Sequence, residues 1–336
     1  MLSPLGELNA AYQTQRRRLL SAHAWRPPCK MVSIGNIVSG GSGKTPFTIH
    51  LAGSLQAAGY KVGISHRGYK GRLENTPTLI SDRNGILFGV EEAGDEAQLI
   101  ANRLPGIPVV VGKRRAAAVS LLLAHYPDLE AVLLDDAFQH LSIARDLDIV
   151  CFDAETGCGN GRLLPAGYLR EPLSALNAAS MLAVIHKRPC SWAEANGGCW
   201  AGFPQPLVHC KLQARDGITA EGEVEQTSSL KGEKLLLISG IADPDSFEET
   251  VKALGLDWLH HFRFADHHAF SNSEEVRRMK RLAQKYGVGK LLCTEKDLAK
   301  LARHKELRDE LVALRMDLVC EEEDSLMRLL KMKLSL

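Results

Sequence analysis

The sequence predicts an α/β protein of two parts: a larger α/β/α domain and a smaller α/β domain, joined by a β-hairpin linker. Short apolar runs (MVSIG, KVGIS, PVVVG, AVLLDD, DIVCFD and MLAVIH) alternate with amphipathic stretches from residue 31 onward. That rhythm belongs to buried parallel strands covered by helices on both faces. From Pro206 to Leu230 the texture becomes polar and alternating, broken at Asp216-Gly217, which reads as a hairpin. The α/β rhythm then resumes with KLLLISG, a helix from about Asp245, DWLHHF, a helix from about Glu274, and KLLCTEKD. Ser271 and Glu274 have the spacing of a capping box ahead of that last helix. The expected organisation is 1–26 as an N-terminal amphipathic helix, 27–205 as the larger domain, 206–230 as the linker and 231–336 as the smaller domain.

Composition narrows the function classes. The 336 residues are 45% hydrophobic and 24% charged, and 41 Lys plus Arg against 40 Asp plus Glu leave a formal net charge of +1. A folded globular protein is expected, without the basic field of a general nucleic-acid binder. No uninterrupted apolar stretch approaches the roughly 18 residues that span a bilayer. Eight cysteines, with no CxxC pair among them, read as reduced, mostly structural thiols of a cytoplasmic protein.

The first element is a basic helix. Leu5, Leu8, Tyr12 and Leu19 fall near one helical face, with Arg16, Arg17, Arg18 and Arg26 giving the segment positive charge. Packing on the domain and lying on an anionic membrane are both compatible with that pattern.

The strongest chemical signal follows the first strand: Gly40, Gly41, Ser42, Gly43, Lys44 and Thr45, leading into a helical stretch. Small residues let consecutive backbone N–H groups curl around a phosphate at a helix N-terminus. Lys44 then reaches the outer phosphates, and the Thr45 hydroxyl can hold magnesium. This makes the larger domain P-loop NTPase-like, with a variant loop: Val38 stands where the usual pattern has its first Gly, and Gly35 lies upstream. AVLLDD delivers Asp135 and Asp136 to the C-terminal end of a buried strand, where a carboxylate can reach the same metal.

Further along, Gly94-Asp95-Glu96 opens a helical run ending near Arg103. Asp95 is therefore either a helix cap or a general base on a loop of the nucleotide-binding sheet. Tyr69 in HRGY, Asn160 in GNGR, and Arg170 with Glu171 in LREP lie on loops of the kind that carry binding groups. In the smaller domain Asp266-His267-His268 precedes the capped helix, and His267 is a candidate for proton handling.

Taken in order, Gly35-Asn36, GGSGKTP, HRGY, GDE, VVVGKRR, LLDDAFQH, GNGRLLPAG, LREP, SGIADPDSF, FADHH and TEKD resemble the tetraacyldisaccharide 4'-kinase family of lipid A biosynthesis across nearly the whole chain. The resemblance implies ATP- and Mg2+-dependent phosphorylation of the 4'-hydroxyl of a tetraacyldisaccharide 1-phosphate at the cytoplasmic face of the inner membrane. The protein would associate there peripherally, with no nucleic acid and no obligate protein partner. It also implies a smaller domain that closes over the nucleotide. Lys44 and Thr45 fall in the phosphate loop, Asp135 and Asp136 near the metal, Asp95 in the base role with His267 as its partner, and Tyr69, Asn160, Arg170 and Glu171 in cleft-lining motifs. His66, Ala97, Ala137 and Tyr168 depart from the family pattern beside these groups.

A P-loop molecular switch or metallochaperone NTPase is the competing class. Guanine readers of that type carry Asn/Thr-Lys-x-Asp, whereas Glu295 occupies the Lys position in Thr294-Glu295-Lys296-Asp297. A membrane-docking ATPase of the partitioning type would leave GDE and DHH without a role.

Overall fold

The computed structural model describes residues 3–188 and 198–335, with the side chains of residues 3–5, 7 and 8 outside that description. The chain forms two compact units, residues 1–211 with 318–336, and residues 212–317.

The first unit begins with α1 (Ser3–Ala22), β1 (Lys30–Gly35), α2 (Lys44–Ala57), β2 (Val62–His66), β3 (Thr78–Ser81), α3 (Val90–Ala93) and α4 (Asp95–Arg103). It continues through β4 (Val109–Val111), α5 (Arg115–His125), β5 (Ala131–Asp135), β6 (Leu147–Asp153), β7 (Met181–His186) and the first residues of β8 (Leu207–Thr219). The sheet order is β8-β7-β6-β1-β5-β2-β4-β3. Its pairs are parallel except β3 on β4. Every residue of β2, β4, β5 and β7 is buried, which is why these strands read as apolar runs rather than alternating ones.

β1 lies between β5 and β6, where successive connections leave in opposite directions. The crevice beyond the strand ends at such a switch point is where α/β sheets bind ligands. The chain leaves β1 through Gly35 because nothing larger fits: a Cβ there would stand 2.5 Å from the Cβ of Phe138.

The second unit contains the rest of β8, β9 (Val224–Glu225), β10 (Leu235–Ser239), α6 (Pro244–Ala253), β11 (Trp258–Arg263), α7 (Ser273–Tyr286), β12 (Lys290–Thr294), α8 (Glu295–Leu301), α9 (Lys305–Arg308) and most of β13 (Leu311–Cys320). Strands β11, β10, β12 and β13 are parallel neighbours in that order. The last helix, α10 (Glu323–Leu334), belongs to the first unit.

Three expectations are corrected. The strand β8 runs unbroken through Asp216-Gly217, and the hairpin to β9 turns later, where Thr219 N–H donates to the Glu223 carbonyl. Gly217 fits inside the strand because a Cβ there would press on Val312 at 2.6 Å. The cap of α7 is Asn272, not Ser271: the Asn272 Oδ1 accepts from Glu274 N–H at 2.9 Å. Finally, Cys158 and Cys199 are joined as a disulfide, their Cα atoms 6.0 Å apart. The two meet around Trp200 and Phe152, a juxtaposition across 41 residues that no local spacing announces.

The helix α1 is held on the first unit by one side chain above all. Arg17 grips Glu171 through Nε and Nη2 at 2.8–3.1 Å, stacks over the Phe138 ring at 4.2 Å and donates to the Phe138 carbonyl. Tyr12 and Leu19 are 61% and 57% exposed, lying about 140° around the helix from Arg17 in the case of Tyr12. Leu5 and Leu8, expected on the same face, lie outside the described side chains. No helix among the described residues is long and apolar enough to cross a membrane.

Candidate active site

The phosphate loop crosses the C-terminal end of β1. Gly40 and Gly43 adopt positive φ of 114° and 76°, conformations that glycine reaches without strain. A Cβ on Gly43 would stand 2.7 Å from Ile185, so the loop can approach the sheet only with glycine there. Ser42 Oγ is buried and has no hydrogen-bond partner among the described residues, as expected of a group shaped for a ligand. Lys187, at the end of β7, donates to the Gly41 carbonyl and pairs with Asp153, bracing the loop from behind.

The helix α2 begins at Lys44, so its free N–H groups and positive end face the loop. Parallel register sets Ile34 of β1 against Asp135 of β5, which brings the carboxylate to the start of α2. Thr45 Oγ1 donates to Asp135 Oδ2 at 2.9 Å, and Thr48 Oγ1 donates to Asp135 Oδ1 at 2.9 Å. Asp136 follows with φ of 48°, and its Oδ1 lies 3.6 Å from Lys44 Nζ and 3.5 Å from Arg170 Nη1. That Oδ1 is buried and accepts no hydrogen bond among the described residues.

The two carboxylates differ in character. Burial pushes Asp135 above the usual carboxylate range, only partly opposed by His66. Burial acts the same way on Asp136, but Lys44, Arg170 and Arg115 outweigh it and hold that group low. An oxygen-rich pair with one open acceptor, beside a threonine hydroxyl on a phosphate loop, is a donor set that fits magnesium.

Sequence reasoning paired Thr45 with Asp135 but did not place Thr48, Arg115 or His66 against that carboxylate. The signal for Thr48 is its place three residues after Thr45, on the same face of α2. Arg115, 1% exposed, donates to the Asp135 carbonyl and lies 3.3 Å from Ser65 Oγ; burial pulls its guanidinium down to about 10, against Asp135 and Asp136. His66 is 2% exposed, and its Nδ1 accepts from Gly68 N–H at 2.9 Å, which leaves the proton on Nε2. That nitrogen faces Glu96 at 3.5 Å and Asp135 at 3.8 Å.

The GDE and HRGY loops pack directly on one another. A Cβ on Gly94 would meet the Tyr69 carbonyl at 2.6 Å, and Leu73 N–H donates to the Glu92 carbonyl. Asp95 is the first helical residue of α4, after Gly94 as the cap, and is 8% exposed. Its Oδ1 accepts from Glu96 N–H at 3.0 Å. The hydrogen-bonded and packed neighbours thus run from Thr45 through Asp135 and His66 to Glu96, the residue after Asp95.

The loop carrying Asn160, Arg170 and Glu171 lies against the phosphate loop through the Val38–Leu169 bridge and the bond from Ser39 N–H to the Tyr168 carbonyl. Arg170 is delivered to Asp136. Asn160 is turned into its own loop, donating to the Ala166 carbonyl and accepting from Arg162 N–H. Glu171, 3% exposed, faces Arg17. Tyr69 is 43% exposed, with the Arg67 guanidinium 5.4 Å from its ring centre.

In the second unit His267 takes a φ of 60°, with Asp266 Oδ2 at 3.6 Å and Lys296 Nζ at 3.4 Å from its Nε2. Asp297 of TEKD is fully buried, accepting from Gly240 N–H and the Thr294 hydroxyl. It fastens its own turn rather than facing a base.

The family described as tetraacyldisaccharide-1-P 4'-kinase matches residues 1–335. A tetraacyldisaccharide 4'-kinase of Anaeromyxobacter sp. (strain Fw109-5) is 36% identical over 297 residues, 85% of this chain and 77% of that one. One from Desulfatibacillum aliphaticivorans is 35% identical over 322 residues, 93% of this chain and 85% of that one. The crystal structure of LpxK from Aquifex aeolicus in complex with ATP superimposes with a TM-score of 0.81 at 29% identity, covering 99% of this chain and 98% of that one. This chain belongs to the tetraacyldisaccharide-1-P 4'-kinase family.

Proposed function

We propose that the protein transfers the γ-phosphoryl group of ATP to the 4'-hydroxyl of a tetraacyldisaccharide 1-phosphate, with Asp95 as general base, giving the bis-phosphorylated lipid A precursor. The observation that carries this reading is the Thr45–Asp135 pair at the end of β1 and β5, within a chain that belongs to the kinase family from end to end. Lys44 and the loop N–H groups hold the outer phosphates and offset their charge, which grows at the bridging oxygen as the bond to the leaving group breaks. Magnesium, when bound by Thr45 with Asp135 and Asp136, adds charge neutralisation at the same phosphates. Arg170, which shares Asp136 with Lys44, supplies a second cation.

Asp95 enters as the group that takes the sugar hydroxyl proton. An ordinary Asp, with a pKa of about 3.9, is a weak base for an alcohol, so His267 is assigned as its partner, orienting the carboxylate or accepting the proton onward. Tyr69, Asn160 and Arg170 are assigned to the substrate cleft, with Glu171 as the buried anchor beneath Arg17. The acceptor is a lipid, and the exposed Tyr12, Leu19 and Leu20 with Arg18 on α1 support docking on the anionic cytoplasmic face of the inner membrane.

The test is the fate of γ-labelled phosphate. The label is expected in the lipid acceptor. Release only as free phosphate, with intact acceptor present, would favour a molecular switch instead.

A further inference from the structure

His50 lies two turns into α2, well behind the phosphate loop, and faces the segment with which the chain re-enters the first unit. Its Nε2 is 2.7 Å from Oε2 of Glu323, the first residue of α10. One ligand atom each of His50, Cys320 and Glu323 lie within 4.8 Å of one another. The Cys320 thiol, at the end of β13, also hydrogen-bonds Cys210 of β8. Ser54, one turn further along α2, donates to the other carboxylate oxygen of Glu323 at 3.0 Å, so the carboxylate is oriented by a second hydrogen bond. Cys210 is fully buried and Cys320 is 8% exposed, whereas the Glu323 side chain is 37% exposed. The cluster therefore has a sulfur floor and an open carboxylate edge.

We propose that Cys210, Cys320, His50 and Glu323 form a binding site for a thiophilic divalent cation of the zinc class, separate from the magnesium donors of the phosphate loop. The donor set decides the class of ion: two thiol sulfurs and an imidazole select zinc-like ions, whereas magnesium and calcium take oxygen. A tetrahedral ion with Zn–S near 2.3 Å and Zn–N near 2.0 Å keeps its ligand atoms roughly 3.3–3.8 Å apart; the donors of His50, Cys320 and Glu323 stand within 4.8 Å of one another, and Cys210 would join them from its bond to Cys320. The Ser54 hydroxyl has the place of an outer hydrogen bond to a ligating carboxylate. The four donors come from α2, β8, β13 and α10, so an ion here would fasten the phosphate-loop helix to the chain's return. No sequence motif marks the site, because its ligands stand at residues 50, 210, 320 and 323.

The experiment uses the untagged full-length protein, purified without chelator, with metal content measured by mass spectrometry, followed by stripping and titration with Zn2+ and Co2+ alone. One equivalent of zinc is expected, and the cobalt form should show a thiolate-to-cobalt charge-transfer band in the near ultraviolet with intense tetrahedral bands in the visible. Cys320→Ser should abolish that charge-transfer band or halve it, His50→Gln should shift the visible bands, and Ser54→Ala should weaken zinc binding about 10-fold. Cys29→Ser, outside the cluster, should change none of these. Should Cys320→Ser fail to fold, Glu323→Gln and Ser54→Ala at the open edge carry the same comparison. A protein that binds no stoichiometric ion, a cobalt spectrum without a sulfur band, or an ion fully retained by the ligand variants would overturn the site. So would thiol counting that finds Cys210 and Cys320 oxidised to each other in the native, metal-free protein.

Discussion

Thr45 Oγ1 lies 2.9 Å from Asp135 Oδ2 while Thr48 Oγ1 holds the other oxygen of the same carboxylate at the same distance. Two hydroxyls one helical turn apart thus share a fully buried acid whose main chain is also held by Arg115. The two threonines should separate by assay. Thr45→Val is expected to raise the Mg2+ concentration needed for turnover, because it removes a metal donor. Thr48→Val should chiefly lower thermal stability, by about 1–3 kcal/mol for a buried acceptor left without its donor. Equal magnesium dependence in the two variants would place both hydroxyls in a purely structural role.

Lys44→Ala should slow phosphoryl transfer by about 10²–10³-fold, the loss typical of removing one preorganised electrostatic contact to the transition state. Lys44 is 12% exposed beside Asp136, and Arg170 remains to pair with that carboxylate, so the fold should survive. Single-turnover rates with unchanged circular dichroism would bear this out. A variant that loses only ATP affinity, with its rate at saturation intact, would reduce Lys44 to ground-state binding.

Much of this arrangement was legible because it is local. The GGSGKT loop, the apolar run ending in Asp135-Asp136 and the alternation of strands and helices all depend on residues within a few positions of each other. What escaped depends on register across the sheet. His66 reaches Asp135 because β2 and β5 are parallel neighbours with Ser65 against Leu134. Lys187 reaches Gly41 from a strand 146 residues away. Arg17 and Glu171 are 154 residues apart, so a row of three arginines read as one basic patch when its middle member is an internal clamp. The break at Asp216-Gly217 misled for the opposite reason: local turn chemistry was overridden by pairing on either side of β8.

Asp95→Asn tests the base. The amide is nearly isosteric and can still accept the Glu96 N–H bond, so α4 should keep its first turn. A base held in place contributes about 10²–10⁴-fold, and turnover should fall by that much while ATP affinity stays constant. Full activity in a folded Asn variant would leave Asp95 with only its helix-terminal role.

His267 is tested through Asp95. If the two serve one proton-transfer step, Asp95→Asn combined with His267→Ala should be scarcely slower than the worse single variant. Losses that multiply would show independent contributions and remove the pair from the mechanism. A control is Lys296→Met, since Lys296 lies 3.4 Å from the imidazole: it should alter turnover only if His267 takes part.

The three arginines of α1 should behave differently from one another. Arg17 is 16% exposed and bidentate to Glu171, which is 3% exposed, so Arg17→Gln strands a buried carboxylate. Breaking such a pair from one side costs about 3–5 kcal/mol, and the expected result is a clear drop in melting temperature, together with displacement of the loop that brings Arg170 to Asp136. Arg16 donates to the Gln139 carbonyl at 3.3 Å, with no carboxylate partner among the described residues, and should matter less. Arg18 is exposed beside Leu19 and Leu20, where a basic residue contributes about 1 kcal/mol of attraction to an anionic bilayer, weakened by salt. Arg18→Gln should therefore leave the melting temperature unchanged and lower vesicle binding, more at low salt than at high. Leu19→Ser with Leu20→Ser should lower vesicle binding at both, because the apolar contribution is not screened. Activity on acceptor dispersed in detergent should change little in either case. Unaltered binding to anionic vesicles by both exposed-face variants would make α1 a packing helix alone, held for the sake of Glu171, and move membrane docking to another surface.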